Sequence, residues 1–193
     1  MLREQEREIQ RWLICALEYL TDSLKLFKVY QIEELERVSR PNLLLIGYFL
    51  ENILKSCIMK IENKKENECF KHLSMELIKK AGISISNIKE IETINYLKEV
   101  IIWGKYPKKG IGNEGEMIID LTEEKLDIFA NETVFLTKKA NLKVLILLNI
   151  DICEQAFQII ISQMEKDLII YFREPFKRIN QILNEMLRMC ENQ

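Results

Sequence analysis

The sequence contains few residues that interrupt helices. Among its 193 residues there are only six glycines and three prolines. Because both residue types end helices and mark turns, their scarcity predicts long helices joined by short connections. Strand-type alternation is also lacking, apart from a run at 117–119 that is too short to form a sheet by itself. These absences predict an all-α protein.

The chain also lacks an excess of charge of one sign. It has 28 Lys and Arg against 30 Asp and Glu, so its formal net charge is -2, and it has a single histidine. A charge near zero gives no general attraction to nucleic acid or to an anionic membrane, so such binding would need a local basic patch. No cluster of metal ligands and no phosphate-binding loop is recognisable, and we expect no metal and no cofactor.

Closely spaced cysteine pairs are missing as well. The five cysteines are scattered along the chain, and an odd number without pairs favours free thiols. Because no apolar export segment follows the N-terminus, we expect a reducing, cytoplasmic location. Three of the cysteines have apolar neighbours and are predicted to be core residues, namely Cys15, Cys57 and Cys153.

Apolar residues at three- and four-residue steps predict the helices of the first half. A first helix is expected at about 3–28, and a second begins near Pro41. Apolar residues cover nearly every face of the second helix, which predicts that other helices surround it. A third helix is expected at 72–81 with Gly82 as a left-handed cap, and Ser86 is the expected cap of a fourth.

The second half is expected to be helical from Thr122 to about residue 172, and Pro175 should end or kink this stretch. Its most apolar run, 142–161, is interrupted by charged residues, which indicates a buried helix rather than a membrane span. Asn149 within that run is interpreted as a buried amide that specifies the register between helices.

Two candidate binding features lie on the second helix and in the segment that follows it. Glu51 and Lys55 are four residues apart, so they could anchor a phosphate or a base edge, or could simply support the helix as an ion pair. His72 could act as a general base near neutral pH, or could hold a helix entry together by packing. The sequence leaves both alternatives open for each feature.

An aromatic and basic block gives the third candidate. Trp103, Lys105 and Tyr106 precede two further lysines and a glycine-containing stretch. Aromatic and basic side chains in this arrangement could stack on bases and neutralise phosphates, or the aromatic rings could close one end of the core. A second basic cluster is interpreted as cations that complement a helix dipole: Arg173, Lys177 and Arg178.

In this order and spacing, the three features resemble the HEPN superfamily, helical domains of prokaryotic defence, toxin–antitoxin and nucleotidyltransferase-partner proteins. Residues 50–55 resemble the Glu/Leu-Lys signature of the family's second helix. Residues 71–77 resemble its Gly-His-Asp-Leu-x-x-Leu segment, with His72 in the position of the histidine. Residues 103–107 resemble its Trp-x-Arg-Tyr-Pro block, with Lys105 in place of the arginine.

The resemblance covers roughly residues 3–172 and implies a HEPN-like antiparallel helical bundle. We therefore expect one domain, 1–193, with a core at about 3–172 and a C-terminal helix at about 175–193. The family also implies a homodimer and a protein partner such as a nucleotidyltransferase-type antitoxin. Helices with more than one apolar face independently favour a partner surface.

The chain departs from the family where the ribonucleases of the superfamily carry their catalytic pair. Those enzymes have an arginine and a histidine separated by four to six intervening residues, whereas Lys65, Glu66 and Asn67 occupy the positions that would need the arginine before His72. Lys71 and Ser74 also replace the family's glycine and aspartate. Ribonuclease activity is therefore not carried over.

Three functional hypotheses follow. The first is a non-catalytic binding or interaction module of a prokaryotic defence or toxin–antitoxin-type system. The second is a divergent RNA-acting enzyme, or a protein that binds RNA or a nucleotide, in which His72, Lys105 and Tyr106 converge. The third is a structural helical dimerisation protein in which Trp103, Tyr106 and His72 are buried packing residues.

Overall fold

The computed structural model describes residues 2–32, 40–62, 72–105, 142–162 and 164–191. Within these ranges every regular element is a helix, which confirms the all-α prediction for this part of the chain. The helices are α1 (Glu4–Ile32), α2 (Arg40–Glu62), α3 (Met75–Lys80), α4 (Ile88–Lys105), α5 (Leu142–Ile161) and α6 (Lys166–Glu191). The run at 117–119 and the helix start expected at Thr122 lie outside the described residues.

Helices α1 and α2 form an antiparallel pair. Near the start of α1, Gln5 Nε2 donates a hydrogen bond of 2.6 Å to the carbonyl oxygen of Met59 near the end of α2. Near the other end of the pair, the hydroxyl of Ser23 donates to the side-chain oxygen of Asn42. Of the seven residues in the predicted apolar stripe of α1, Leu17 is partly buried and six are buried in the core: Ile9, Leu13, Ala16, Leu20, Leu24 and Phe27.

Helix α2 lies at the centre of the described structure. It packs against α1, α3, α4 and α5, as its apolar residues on every face predicted. Gly47 allows α4 to approach closely, because a Cβ atom at this position would lie 2.7 Å from Cδ1 of Ile101. The absence of a side chain at Gly47 therefore sets the spacing between α2 and α4.

Helix α3 ends as predicted, with Gly82 in a left-handed conformation at φ 72°. The backbone N–H of Gly82 donates to the carbonyl of Lys79 at 3.1 Å, and that of Ile83 donates to Ile78 at 3.2 Å. These two bonds are the pairing of a Schellman motif, in which glycine is favoured because a Cβ atom disfavours positive φ.

The starts of α3 and α4 differ from the prediction. Helix α3 begins at Met75 instead of residue 72, because the hydroxyl of Ser74 accepts the N–H of Leu77 at 3.2 Å and caps the helix there. At α4, the side-chain oxygen of Asn87 accepts the backbone N–H two residues later at 3.0 Å. The expected cap at Ser86 was wrong, because the neighbouring amide takes this role.

Helix α5 packs against α2, α4 and α6. Gln155 on α5 fixes the segment between α3 and α4 by pairing with both backbone groups of Ser84: it accepts the N–H at 2.9 Å and donates to the carbonyl at 3.1 Å. By length and composition, one described segment, Lys143–Ile161, is apolar enough to cross a membrane, with a hydropathy of 1.8 and 44% of the window buried. Core helices commonly have the same composition.

Two cysteines have the predicted core placement, and one does not. Cys57 and Cys153 are buried, whereas Cys15 is exposed. The prediction for Cys15 was wrong because its apolar neighbours in sequence belong to other faces of α1, and Ala16 is the residue that enters the core.

Helix α6 runs through Pro175, which was expected to end or kink a helix at this point. The chain instead breaks between Ile161, the last residue of α5, and Lys166, the first of α6. Pro175 has no N–H for the carbonyl of Tyr171 four residues earlier, and Gln10 Nε2 on α1 approaches that carbonyl oxygen at 3.4 Å. A donor from α1 thus compensates for the missing helical bond.

Candidate functional site

The buried carboxylate of Glu51 on α2 forms the centre of the candidate site. Its side chain is 6% exposed, and its Oε1 accepts a 2.6 Å hydrogen bond from Nζ of Lys55 one turn later. Its Oε2 accepts the backbone N–H of Leu73 at 3.3 Å and lies 3.5 Å from Nδ1 of His72. The carboxylate therefore joins α2 to the segment that precedes α3.

Lys55 has a second favourable neighbour. Its side chain is only 12% exposed, and Nζ lies 5.1 Å from the centroid of the Trp12 ring on α1. The ring face and the Glu51 carboxylate both stabilise a cation that would otherwise be costly to bury. The predicted Glu51–Lys55 ion pair is present, and its two opposite charges neutralise each other inside the protein.

Two tyrosines extend the site along α1 and α2. The ring centroids of Tyr19 and Tyr48 are 5.5 Å apart at an interplanar angle of 47°. Partial burial raises the pKa of Tyr48 above its usual value, and the nearby Glu51 carboxylate and Tyr19 add to this shift. We call the connected set the Glu51 network: Trp12, Tyr19, Tyr48, Glu51, Lys55 and His72.

His72 is a solvent-accessible polar member of this network. Its side chain is 40% exposed, and it lies just before the capping residue Ser74. The Glu51 carboxylate oxygen 3.5 Å from Nδ1 orients the imidazole ring. This arrangement suits a histidine that is presented to a partner, and it is also the arrangement by which enzymes orient a catalytic base.

The structure thus brings together three of the six sequence-predicted residues, Glu51, Lys55 and His72. Trp103 and Lys105 lie in the last turn of α4, but their side chains lie outside what the structure describes, and Tyr106 is outside the described residues. Convergence of His72 with Lys105 and Tyr106 therefore stays a prediction.

Sequence reasoning missed the three aromatic members of the network. Trp12 and Tyr19 are seven residues apart, so they lie on the same face of α1. Their partners on α2, Lys55 and Tyr48, are also seven residues apart, as the antiparallel pairing of the two helices requires. This matched spacing was a usable signal once α1 and α2 were taken as neighbours.

In the described ranges, no group of three or more His, Cys, Asp or Glu side chains is arranged to hold a metal ion. Comparison of the chain with protein-family models, with curated proteins and with solved structures gives no match.

Proposed function

We propose that this protein is a non-catalytic, HEPN-like binding or interaction module of a prokaryotic defence or toxin–antitoxin-type system. The observation that carries the proposal is the Glu51 network. Both oxygens of its central carboxylate have close partners, and one end of the network, His72, lies at the surface.

The contacts of Glu51 favour a positioning role for this residue. A carboxylate that compensates Lys55 at 2.6 Å and accepts the Leu73 N–H at 3.3 Å stabilises the resting structure. Catalysis would instead require contacts that strengthen as a substrate reacts. Next to this anchor, Trp12, Tyr19 and Tyr48 are only partly buried, and partly exposed Trp and Tyr are typical of protein–protein contacts.

The helix contacts support the proposed HEPN-like antiparallel bundle. Helices α1 and α2 are antiparallel, and the short connection after Ile161 returns the chain so that Phe176 on α6 packs against Phe157 on α5. A homodimer formed through the Glu51 network, together with a nucleotidyltransferase-type protein partner, completes the proposal.

Sedimentation velocity of the purified protein tests the proposed dimer. We expect the wild type to sediment as twice the 23.0 kDa chain mass. His72→Ala and Tyr19→Ala should shift the equilibrium to the monomer, because both truncate the accessible part of the network. Lys98→Ala, at an exposed position of α4, is the matched control and should leave the dimer intact.

A wild type that sediments as a monomer at every concentration would contradict the dimer. Equal dimerisation by the wild type and both network variants would instead place the interface elsewhere on the chain. Circular dichroism melting curves of all four proteins establish that lost association does not reflect lost folding.

One observation favours the RNA-acting alternative: His72 is accessible and has a carboxylate beside Nδ1. This alternative predicts that protein freed of metal by chelation degrades RNA, and that His72→Ala abolishes the activity while Lys98→Ala does not. Our proposal predicts no degradation by any of the three proteins. Degradation that depends on His72 would replace the binding module with the enzyme.

A further inference from the structure

A long groove lies between α5 and α6, and none of its lining residues belongs to the Glu51 network. Its volume is about 1150 Å³, which exceeds the roughly 300–1,000 Å³ typical of small-molecule sites. The groove is therefore better matched to a segment of a polymer than to a metabolite.

The two walls of the groove carry opposite charge. Arg173, Lys177 and Arg188 line it from α6, whereas Asp151 and Glu154 line it from α5. Within the described residues, the three cations make no ion pair or hydrogen bond. Their charges are therefore available to an occupant of the groove.

Apart from Glu185, the remaining lining residues can form hydrogen bonds with a polypeptide backbone or pack against it. The one acidic residue on the α6 wall, Glu185, is compensated by Lys28 of α1 at 2.7 Å. Oδ1 of Asn180 is buried and accepts no hydrogen bond from any described residue. Other amide side chains on the walls can donate to or accept from peptide groups: Gln158, Gln181 and Asn184. Phe157 and Phe176, with ring centroids 5.2 Å apart, add apolar surface.

The length of the groove defines the length of its occupant. Arg173 and Arg188 are fifteen residues apart on one helix, which corresponds to about 22 Å. An extended segment of six or seven residues spans roughly the same distance. Successive side chains of such a segment point to opposite sides, so they would face the cationic and the anionic wall in turn.

We propose that the α5–α6 groove binds an extended segment of a partner polypeptide in which acidic and basic side chains alternate. The acidic side chains face Arg173, Lys177 and Arg188, and the basic side chains face Asp151 and Glu154. Single-stranded RNA fits less well, because its phosphates would have to pass two carboxylates. The proposal concerns a surface separate from the Glu51 network and stands whether or not that network mediates dimerisation.

Two fluorescein-labelled hexapeptides of identical composition test the alternation. The probe is Glu-Lys-Glu-Lys-Glu-Lys, and the matched control is Glu-Glu-Glu-Lys-Lys-Lys, both blocked at their ends. In fluorescence polarisation with the full chain at low ionic strength, we expect the alternating peptide to bind at least about fivefold more tightly. Equal affinities, or no binding of either peptide, would overturn the proposal.

Charge reversal then locates the binding. Lys177→Glu and Glu154→Lys should each weaken binding of the alternating peptide at least about fivefold. Combining Arg173→Glu, Lys177→Glu and Arg188→Glu with Asp151→Lys and Glu154→Lys exchanges the signs of the two walls. An alternating peptide accommodates this exchange by shifting one residue, so affinity should return to near that of the wild type. Lys166→Glu, on α6 outside the groove lining, should have no effect.

Loss of affinity in the single variants without recovery in the variant with both walls exchanged would contradict the two-wall arrangement. Labelled oligouridylate provides the remaining discrimination: if it binds more tightly than the alternating peptide and Lys177→Glu abolishes its binding, the groove is an RNA site and the peptide proposal is wrong.

Discussion

The α1–α2 pair and the α5–α6 pair differ in how they accommodate buried polar groups. Between α1 and α2, polar side chains connect the helices, as Gln5 does with Met59 and Ser23 with Asn42. On α5, by contrast, both side-chain amide atoms of Asn149 are buried without a hydrogen-bond partner among the described residues. Both pairs also contribute apolar side chains to the core.

This contrast separates two ways of holding helices together. Directional polar bonds define one register for α1 and α2 and position the Glu51 network across them. Helices α5 and α6 rely on apolar contacts such as the 5.2 Å Phe157–Phe176 pair, and Arg173, Lys177 and Arg188 in the groove have no ion-pair partner among the described residues. The α1–α2 pair is therefore suited to hold the Glu51 network in a fixed geometry, and the α5–α6 pair is suited to bind a partner in its groove.

The largest expected effect comes from the buried ion pair. Glu51→Ala leaves the Lys55 ammonium, with a side chain only 12% exposed, without its carboxylate, and should lower the free energy of unfolding by about 3 kcal/mol. The matched control is Glu174→Ala on α6, which breaks the i,i+4 ion pair of Glu174 with Arg178. These two side chains are 59% and 63% exposed, respectively. That change should cost less than about 0.5 kcal/mol.

Urea denaturation of both variants measures the difference. Equal effects would show that the Glu51 pair contributes no more than a solvated surface pair, and that the two helix pairs do not differ in this respect.

Thiol reactivity tests whether the α1–α2 pair packs against the α5–α6 pair. Burial raises the pKa of Cys57 on α2 and of Cys153 on α5, and only the thiolate is alkylated readily. Iodoacetamide followed by peptide mass spectrometry should therefore label exposed Cys15 roughly a hundredfold faster than either buried thiol. Rapid labelling of Cys57 and Cys153 in the folded protein would contradict the packing of α2 against α5.

One substitution made in both pairs should change stability in opposite directions. Asn149→Leu removes an amide whose buried atoms lack described partners, and should raise the free energy of unfolding by about 1 kcal/mol. Asn42→Leu removes the acceptor of the Ser23 hydroxyl and should lower it by about 1–2 kcal/mol. If thermal melts show that Asn149→Leu also destabilises, the Asn149 amide has a partner and the contrast between the pairs fails.

The sequence predicted those parts of the fold that depend on local pattern. The apolar stripe of α1, the central position of α2 and the left-handed Gly82 all follow from spacing or from one residue's backbone preference. The helix end expected as one outcome at Pro175 was wrong, because the compensating donor, Gln10, is 161 residues away from Tyr171 in the chain. The rule that proline interrupts a helix interior considers only neighbouring residues, so it cannot predict a contact from another helix.

The candidate site shows the same division. The Glu51–Lys55 pair was predictable because an i,i+4 spacing is local. That His72 would approach the Glu51 carboxylate was not, since this contact depends on how the segment before α3 folds back onto α2. Trp12 was missed for the same reason, because its contact with Lys55 requires the register of α1 against α2.

The smallest expected effect separates a bond between helices from a bond within one. Ser23→Ala removes the hydroxyl that α1 donates to Asn42 of α2, and should lower the free energy of unfolding by about 1 kcal/mol because a buried acceptor loses its donor. Thr21→Ala removes a hydroxyl on the same helix that bonds only to the carbonyl of Leu17, at 2.7 Å. This local bond competes with the helix backbone, so its loss should be nearly neutral. Equal urea midpoints for the two variants would show that polar contacts between α1 and α2 do not define the register of these two helices.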